Sequence, residues 1–327
     1  MSQDQAKAIR LPAAFRNINV PVTTAFACII ALLLVGSLYS SNFLSLDYLL
    51  QQLQVGSFLA MAATGMMLVV LLGQIDLSVP WVITVGAMMS TAAVGWGPAG
   101  SWLAIPAGVV AGMVFGLING FGVAYLRVPS MIFTLGTNAV AQGLMIVRTG
   151  GAAPQDMATN TMRVLATGQA VPGIPNALWI WLVVGGATVF LLKRTTFGRS
   201  IYAIGNSERA AYLSGSRTRR VVLIAFMLSG GLSAFGGVLL AGYSTKAYQG
   251  MGDPYLLPAI AAVVLGGTSI LGGRGTYLGT VAGVILITLL QSILSIMQID
   301  ESIRQIVYGL TIILMLLLYG RSAVLRS

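Results

Sequence analysis

Apolar stretches of about 20 residues recur along almost the whole chain, and they constrain its fold more than any other feature. Of the 327 residues, 57% are hydrophobic and only 8% are charged, whereas roughly 25% of the residues in an ordinary soluble domain are charged. A helix needs about 20 mostly apolar residues to cross a bilayer. The sequence therefore predicts an all-α polytopic membrane protein, with residues 1–327 forming a single membrane domain.

Ten stretches have the length and composition of a membrane-spanning helix, and charges, Pro or Gly separate them. The basic N-terminal segment and the lack of a small-residue cleavage site predict a retained first span rather than a secretory signal. The predicted spans cover residues 21–40, 48–73, 80–96, 102–125, 131–148, 175–192, 220–243, 256–272, 276–298 and 303–320.

The positions of Lys and Arg predict the orientation of these spans, because loops that stay in the cytoplasm carry an excess of both residues. With ten spans and a cytoplasmic N-terminus, only four of the 18 cations fall outside: Arg148, Arg163, Lys246 and Arg304. We therefore expect both termini in the cytoplasm. The expected segments are a cytoplasmic N-terminal segment over 1–20, an external loop over 149–174 and a cytoplasmic loop over 193–219.

The composition also excludes several kinds of chemistry. The chain has no histidine, so it has neither an imidazole base nor an imidazole metal ligand. A single cysteine, Cys28, forms neither an intramolecular disulfide nor a zinc cluster. No segment matches the P-loop that binds nucleotide phosphates. We expect no catalytic, cofactor-binding or metal-binding residues, and hence no enzyme.

Glycine recurs at every fourth residue in two of the spans, which brings small residues onto one helical face. Such faces let membrane helices approach closely, either within one chain or between subunits. Packing within the chain is the favoured interpretation. The glycines are Gly108, Gly112, Gly116 and Gly120 in the fourth span, and Gly275, Gly279 and Gly283 at the ninth.

The same two glycine faces suggest an internal repeat. If spans 2–5 and 7–10 are two halves, the fourth and ninth spans are equivalent members. Equivalent spans are then five apart along the chain, and this odd offset inverts one half. Inverted repeats are a common plan of membrane transporters. The segment from Asp76 to Pro80 would then correspond to Asp253-Pro254 and Pro258.

Asp76 places a carboxylate in an otherwise apolar region. Ionisable residues at membrane depth are costly and often line a transport pathway. An equally acceptable interpretation is a helix cap, because a carboxylate shortly before Pro80 can accept from free N–H groups in a first turn. The two interpretations are compatible if the capped helix end faces a cavity.

Four amide side chains lie within other spans, and they are further candidate pathway residues. Each can hydrogen-bond a sugar-like solute, but hydrogen bonds between helices are the favoured interpretation. No chain of buried acids accompanies them, which argues against a proton-driven pump. They are Asn119, Asn138, Gln142 and Gln291.

The loop 193–219 contains signals for one short helix. Asn206 or Ser207 can cap its start, Glu208 suits its first turn and Gly215 closes it. About two turns are too few for an isolated helix in water, so this helix must dock. It can rest on lipid headgroups, helped by Arg217, Arg219 and Arg220, or it can fit a groove on a cytoplasmic partner.

This loop and three other stretches resemble the permease subunits of bacterial ABC sugar importers, in the branch for ribose, xylose, arabinose and galactosides. The resemblance covers most of residues 50–320. Its motifs are Gly205–Ala211 with Leu213–Gly215, Gly73–Val79, Asn119–Gly150 with Leu126–Pro129 and Thr134–Thr137, and Val264–Ser269 running to Gly272–Thr276.

The resemblance implies a ten-helix architecture with inverted halves, like the cobalamin importer. It also implies a second permease subunit as a homo- or heterodimer partner, a periplasmic binding protein that delivers a monosaccharide or similar small polyol, and a separate ATPase that carries ATP and Mg. Such a subunit lies in the lipid of a bacterial inner membrane, so the external loop over 149–174 is then a periplasmic loop, and nucleic acid is not a partner. A self-sufficient secondary transporter or channel for a small polar solute is the alternative. Carried over by motif, the ATPase-coupling helix contains Asn206, Ser207, Glu208, Arg209, Ala210, Ala211 and Gly215.

Overall fold

The computed structural model describes residues 20–151 and 156–324, and this part of the chain is mostly helical, with irregular segments between the helices. The predicted N-terminal segment over 1–20 lies outside the described residues except for Val20. Thirteen α-helices make up the described part. They are α1 (Val20–Tyr39), α2 (Leu46–Val70), α3 (Val79–Ala92), α4 (Gly100–Ala124), α5 (Ser130–Thr149), α6 (Asn160–Thr167), α7 (Asn176–Arg194), α8 (Thr196–Asn206), α9 (Glu208–Leu213), α10 (Thr218–Ser244), α11 (Leu256–Leu265), α12 (Tyr277–Ile296) and α13 (Glu301–Val324).

Six of these helices are long and apolar enough to cross a membrane, namely α2, α4, α5, α7, α10 and α12. The prediction of an all-helical, multi-pass membrane protein is therefore confirmed. Each of the ten predicted spans overlaps a helix, but α1, α3 and α11 provide only shorter apolar segments among the described residues. The count of ten spans stays a prediction.

Helix α10 is the central element, and it packs against α2, α3 and α4. Small residues permit this arrangement, because in lipid the close approach of helix backbones replaces a hydrophobic driving force. A Cβ added at Gly86 of α3 would lie 2.3 Å from the carbonyl oxygen of Ala234 in α10, and one at Gly116 of α4 would lie 2.2 Å from that of Phe226. No side chain fits between these helices at either position.

Two apolar helices begin after irregular segments, and their beginnings meet inside the bundle. Helix α3 follows residues 71–78, and α11 follows residues 245–255. The Gly252 N–H donates to Thr84 Oγ1 at 3.2 Å, and a Cβ on Gly252 would lie 1.9 Å from the Pro80 carbonyl oxygen. Discontinuous helices that meet in this way are typical of transporters with internal repeats.

Three helix predictions differ from the structure. The span expected over 256–272 ends at Leu265, because Gly267, Gly272 and Gly273 adopt positive φ and take the chain out of the helical conformation. The loop predicted over 193–219 contains α8 in addition to the expected short helix. The loop predicted over 149–174 contains α6, capped by the Thr159 hydroxyl, which accepts from the Met162 N–H.

Candidate functional site

Helix α9 is a complete short helix with a cap at each end. The Ser207 hydroxyl accepts from the Ala210 N–H at 3.2 Å, so Ser207 rather than Asn206 is the N-cap. At the other end Gly215 has φ +84°. The N–H of Gly215 donates to the Tyr212 carbonyl, and that of Ser216 donates to the Ala211 carbonyl. This is a Schellman motif, and it fixes the length of α9 at six residues.

One face of α9 is held by the protein and the other is free. Ala211 is buried, and Glu208 forms an ion pair with Arg127 on the turn between α4 and α5, at 2.7 Å. On the outer face, Tyr212 is 68% exposed and Leu213 is 77% exposed. Ala210 and Arg209 are also exposed. The outer face therefore presents large apolar side chains beside a cation, outside the body of the bundle.

Backbone from three segments crosses directly beside α9. A Cβ on Gly205, near the end of α8, would lie 1.9 Å from the carbonyl oxygen of Leu71, just after α2. It would also lie 2.3 Å from the Gly273 nitrogen, in the loop before α12. The Gly273 N–H donates to that same Leu71 oxygen at 2.9 Å. This glycine crossing, formed by Leu71, Gly205, Gly272 and Gly273, joins α8 to the irregular segments before α3 and α12.

Two side chains reinforce the glycine crossing. The Asn206 amide donates to the Tyr202 and Gly273 carbonyls at 2.8 and 3.4 Å. The Tyr202 hydroxyl donates to the Gly275 carbonyl at 2.9 Å. The Tyr202 phenol is protonated at neutral pH, as a tyrosine normally is, and burial raises its pKa further. Its hydroxyl can therefore donate. A displacement of α8 and α9 must therefore also displace the loop before α12.

Asp76 lies in the irregular segment that leads from the glycine crossing to α3, and it is 1% exposed. Its Oδ1 accepts from the Ser78 N–H at 3.0 Å and from the Ser78 hydroxyl at 2.6 Å. Its Oδ2 accepts from the hydroxyl of Ser229 in α10 at 3.1 Å. Ser229 lies 11 residues, or about 16 Å, from the start of α10. The carboxylate thus braces a turn deep inside the bundle.

Asn119 extends the Asp76 hydrogen bonds to α4 and α5. Its amide nitrogen donates to the Ser78 hydroxyl at 2.7 Å, and its amide oxygen accepts from Thr137 at 2.5 Å. Asn119 is fully buried. In this conformation the Asn119 amide connects α4 to Ser78 and to α5.

Asn138 and Gln142 lie one turn apart on α5. Asn138 is half-buried and faces the start of α3, where its amide oxygen accepts from the Trp81 N–H at 3.4 Å. Gln142 is exposed one turn further along the helix. Elsewhere on α5, Gly136 and Gly143 face open space, because an added Cβ would meet no atom within 4 Å. The structure therefore places Asn138 beside the start of α3 and Gln142 on the exposed side of α5.

Gln291 lines a separate cavity of about 300 Å³ between the start of α2 and the end of α12. Tyr48 and Ser292 are hydrogen-bonded beside it, and Arg304 also lines it. The Thr288 hydroxyl is buried there without a hydrogen-bond partner in the described structure. The structure therefore does not bring Gln291 together with Asp76 and Asn119.

The glycine faces predicted from the sequence pack within the chain. Added Cβ atoms at Gly112, Gly116 and Gly120 would meet α10, and one at Gly108 would meet both α3 and α10. Added Cβ atoms at Gly279 and Gly283 would meet the carbonyl oxygens of Gly266 and Ala262, and one at Gly275 would meet Thr268. In the described structure these residues let helices cross closely.

Sequence reasoning missed several members of the site. Ser78 and Thr137 were within the quoted motifs, but Ser229 lies 153 positions from Asp76. Tyr202 lies six residues before α9, and its partner Gly275 lies 73 positions further along the chain. A hydroxyl on an apolar helix is the only local signal for such a contact. The signal is weak, because many of these hydroxyls bond only a carbonyl of their own helix, as Thr91 does. Among the described residues, no three side chains of His, Cys, Asp or Glu gather at a metal-binding distance. The lack of a cofactor on this chain stays a prediction.

Comparison with known proteins shows the family. Residues 48–316 match the family described as "Branched-chain amino acid transport system / permease component". The ribose import permease protein RbsC of Haemophilus influenzae is 33% identical over 296 residues, which cover 90% of this chain and 91% of that protein. The autoinducer 2 import system permease protein LsrC of Yersinia pestis is 32% identical over 307 residues, covering 91% and 84%.

A probable ABC transporter permease protein of Sinorhizobium fredii, y4mJ, is 36% identical over 265 residues, covering 81% of this chain and 79% of that protein. No solved structure matches the chain. These matches confirm the resemblance to importer permeases that the motifs indicated. The chain belongs to the family of permease components of branched-chain amino acid transport systems, and it is a multi-pass membrane permease subunit rather than an enzyme.

Proposed function

We propose that this permease forms, with a second permease subunit, the membrane pathway of an ATP-driven importer for a monosaccharide or a similar small polyol. A periplasmic binding protein delivers the solute, and a separate ATPase hydrolyses ATP. The observation that carries the proposal is the joint between α9 and the glycine crossing. A short capped helix with an exposed Tyr212–Leu213 face is fixed to the segments that precede two interior helices.

That joint supports coupling because force on α9 reaches the interior through backbone contacts. The contact between Gly205 and Leu71 leads along the chain to Asp76 and α3. The contact between Asn206 and Gly273 leads to α12. When an ATPase dimer closes and moves α9, both segments are displaced, and the membrane helices that follow them rock. In this proposal α9 and the termini face the cytoplasm, as the Lys and Arg distribution predicts.

The solute class rests on the relatives' names and on the uncharged amides of α5. Relatives are named for the import of ribose and of autoinducer 2. Asn138 and Gln142 each offer a donor and an acceptor without a charge, which suits the hydroxyl groups of a sugar. We propose that the exposed side of α5 that carries Gln142 lines the pathway once the second subunit covers it.

Reconstituted transport tests the proposed function. The permease is placed in proteoliposomes with an ATPase and a binding protein from the same organism, and uptake of labelled ribose and of related monosaccharides is measured with and without ATP. We expect uptake of at least one of them only when ATP and both partners are present. Uptake by the permease alone, driven by a proton gradient, would instead establish a secondary transporter.

A further inference from the structure

A basic groove of about 950 Å³ opens between α9 and the start of α10. A single carboxylate, that of Glu208, lines it, and this carboxylate is paired with Arg127. Among the residues that the structure describes, the remaining arginines of the groove form no ion pair. The arginines that line the basic groove are Arg127, Arg209, Arg217, Arg219 and Arg220.

The groove continues into an apolar surface on α4. Tyr125, just after the end of α4, lines the groove, and the Arg219 guanidinium lies 5.7 Å from the centre of its ring. The Tyr125 ring stacks in turn on Phe121. Below them a stripe of exposed apolar side chains follows one face of α4 at helical spacing. The α4 stripe consists of Val110, Val114, Ile118, Phe121 and Tyr125.

The place of the groove in the fold sets its depth in the membrane. Helices α4 and α10 are both long and apolar enough to span a bilayer. The groove is lined by Tyr125, one residue beyond the end of α4, and by Thr218, the first residue of α10. It therefore lies where two spans leave the hydrocarbon, at the level of the lipid headgroups, and the α4 stripe descends from it into the hydrocarbon.

We propose that the basic groove binds the phosphate headgroup of an anionic phospholipid and that an acyl chain of the same lipid lies along the α4 stripe. Guanidinium groups pair well with phosphate oxygens, and the cytoplasmic leaflet is rich in anionic lipid. The proposal rests on the proposed function only in assigning this end of the bundle to the cytoplasm. Because α9 forms one wall of the groove, the bound lipid would steady the coupling helix.

A lipid fits these features better than an acidic surface of a protein partner. A protein in the cytoplasm can reach the arginines but not Val110 or Val114, which lie three to four turns down a membrane-spanning helix. Only a molecule with an anionic head and an apolar tail contacts the whole surface from Arg219 to Val110. The two parts of the surface therefore indicate one amphipathic ligand.

Native mass spectrometry of the purified, detergent-solubilised protein tests the proposal without any transport assay. The probes are phosphatidylglycerol and phosphatidylcholine with identical acyl chains. We expect the protein to retain phosphatidylglycerol in preference to phosphatidylcholine. The triple variant R217Q/R219Q/R220Q is expected to bind phosphatidylglycerol on the order of 100-fold more weakly, since each cation near an anionic lipid surface adds a several-fold gain.

The matched control is K193Q/R194Q/R199Q. It removes three exposed cations from the same end of the bundle, at the end of α7 and in α8, outside the groove. We expect it to retain phosphatidylglycerol as the unmodified protein does. Size-exclusion chromatography of both variants shows that each is folded.

Several results would overturn the lipid site. Equal retention of the two lipids by the unmodified protein would do so, as would equal losses in the groove variant and the control. Competition by inorganic phosphate at the same concentration as the lipid would show a phosphate site that does not use the α4 stripe. Unchanged lipid retention, together with lost co-purification of the ATPase in the groove variant, would assign the arginines to that protein instead. These lipid-binding measurements do not depend on transport, so a failure of ATP-driven uptake would count against the proposed function and not against the lipid site.

Discussion

At the scale of single residues, the carboxylate of Asp76 is the costliest group in the interior. It is 1% exposed, and three hydrogen bonds from Ser78 and Ser229 compensate for its burial. A buried acceptor that loses its donors costs about 1–3 kcal/mol, and more if it is charged. The sequence left open whether Asp76 lines a pathway or caps a helix. In this conformation Asp76 stabilises the turn before α3 and joins it to α10.

Replacing Asp76 by Asn tests that task. The amide keeps one acceptor for Ser78 but turns an NH₂ group toward the Ser229 hydroxyl or toward the Ser78 N–H. We expect the D76N variant to lose about 1–3 kcal/mol of stability, measured by thermal unfolding in detergent. D253N, at an exposed carboxylate, is the matched control and should unfold near the temperature of the unmodified protein. Unchanged stability of D76N would show that its hydrogen bonds do not support the fold.

Replacing Gly205 by Ala gives a second prediction at the scale of single residues. A methyl group there would lie 1.9 Å from the Leu71 oxygen and 2.3 Å from the Gly273 nitrogen, and both are backbone atoms. Such overpacking costs about 1–3 kcal/mol and pushes α8 away from the crossing. We expect the G205A variant to be less stable in thermal unfolding and to lose ATP-driven uptake.

The matched control for Gly205 is another helical glycine. An added Cβ at Gly186, in α7, would meet no atom within 4 Å, so G186A should match the unmodified protein in both measurements. If G205A and G186A behave alike, the backbone crossing does not have the close contact that the structure gives it.

At the scale of elements, the sequence indicated α9 more accurately than α8 or α11. Its signals are local: Ser207, Glu208 and Gly215 occupy a cap, a first turn and a C-terminal position within nine residues. Helix α8 also has a local signal, since the Thr195 hydroxyl caps it and Ile201 and Ile204 are buried on one face. The basic residues around α8 instead led to the prediction of a cytoplasmic loop.

The end of α11 and the hydrogen bonds of Asp76 could not be predicted from the sequence, for a different reason. Residues 266–272 are apolar enough to continue a span, and their departure from the helix depends on the glycine crossing with Leu71 and Gly205. The contact between Asp76 and Ser229 joins residues 153 positions apart. Such tertiary contacts leave no pattern in a single sequence.

The exposed face of α9 gives a prediction at this scale. Ala210 is exposed, so we expect a bulky side chain there to extend into solvent and to leave the fold undisturbed. If an ATPase groove receives α9, the A210W variant obstructs it. We expect uptake to fall at least about tenfold while ATP hydrolysis no longer responds to solute and the unfolding temperature stays the same. A210S, which is nearly isosteric, should transport normally. Normal coupled uptake by A210W would contradict the assignment of α9 as the coupling helix.

At the scale of the whole molecule, the described part of the subunit has a tightly packed interior, and its outer surface exposes a polar amide on a membrane-spanning helix. Between α4 and α10 the backbones are in contact at Gly112, Gly116 and Gly230, which leaves no space for a solute there. Gln142 of α5, by contrast, is exposed, and lipid alone would leave its amide with no hydrogen-bonding partner. An amide facing hydrocarbon is costly. These two facts support the proposal that the pathway lies between subunits.

Site-specific cross-linking tests this arrangement. Cys28 is the only cysteine, so a C28S background allows a single new cysteine at Gln142. If α5 faces a second copy across a pathway, a short bifunctional maleimide should link two copies of the C28S/Q142C variant in native membranes, and added solute should slow the reaction. The matched control is C28S/V183C. Val183 is also exposed, but it is an apolar residue and lies on a different helix, α7. Dimers that form at Val183 and not at Gln142 would move the subunit interface to α7 and separate the α5 amides from the pathway.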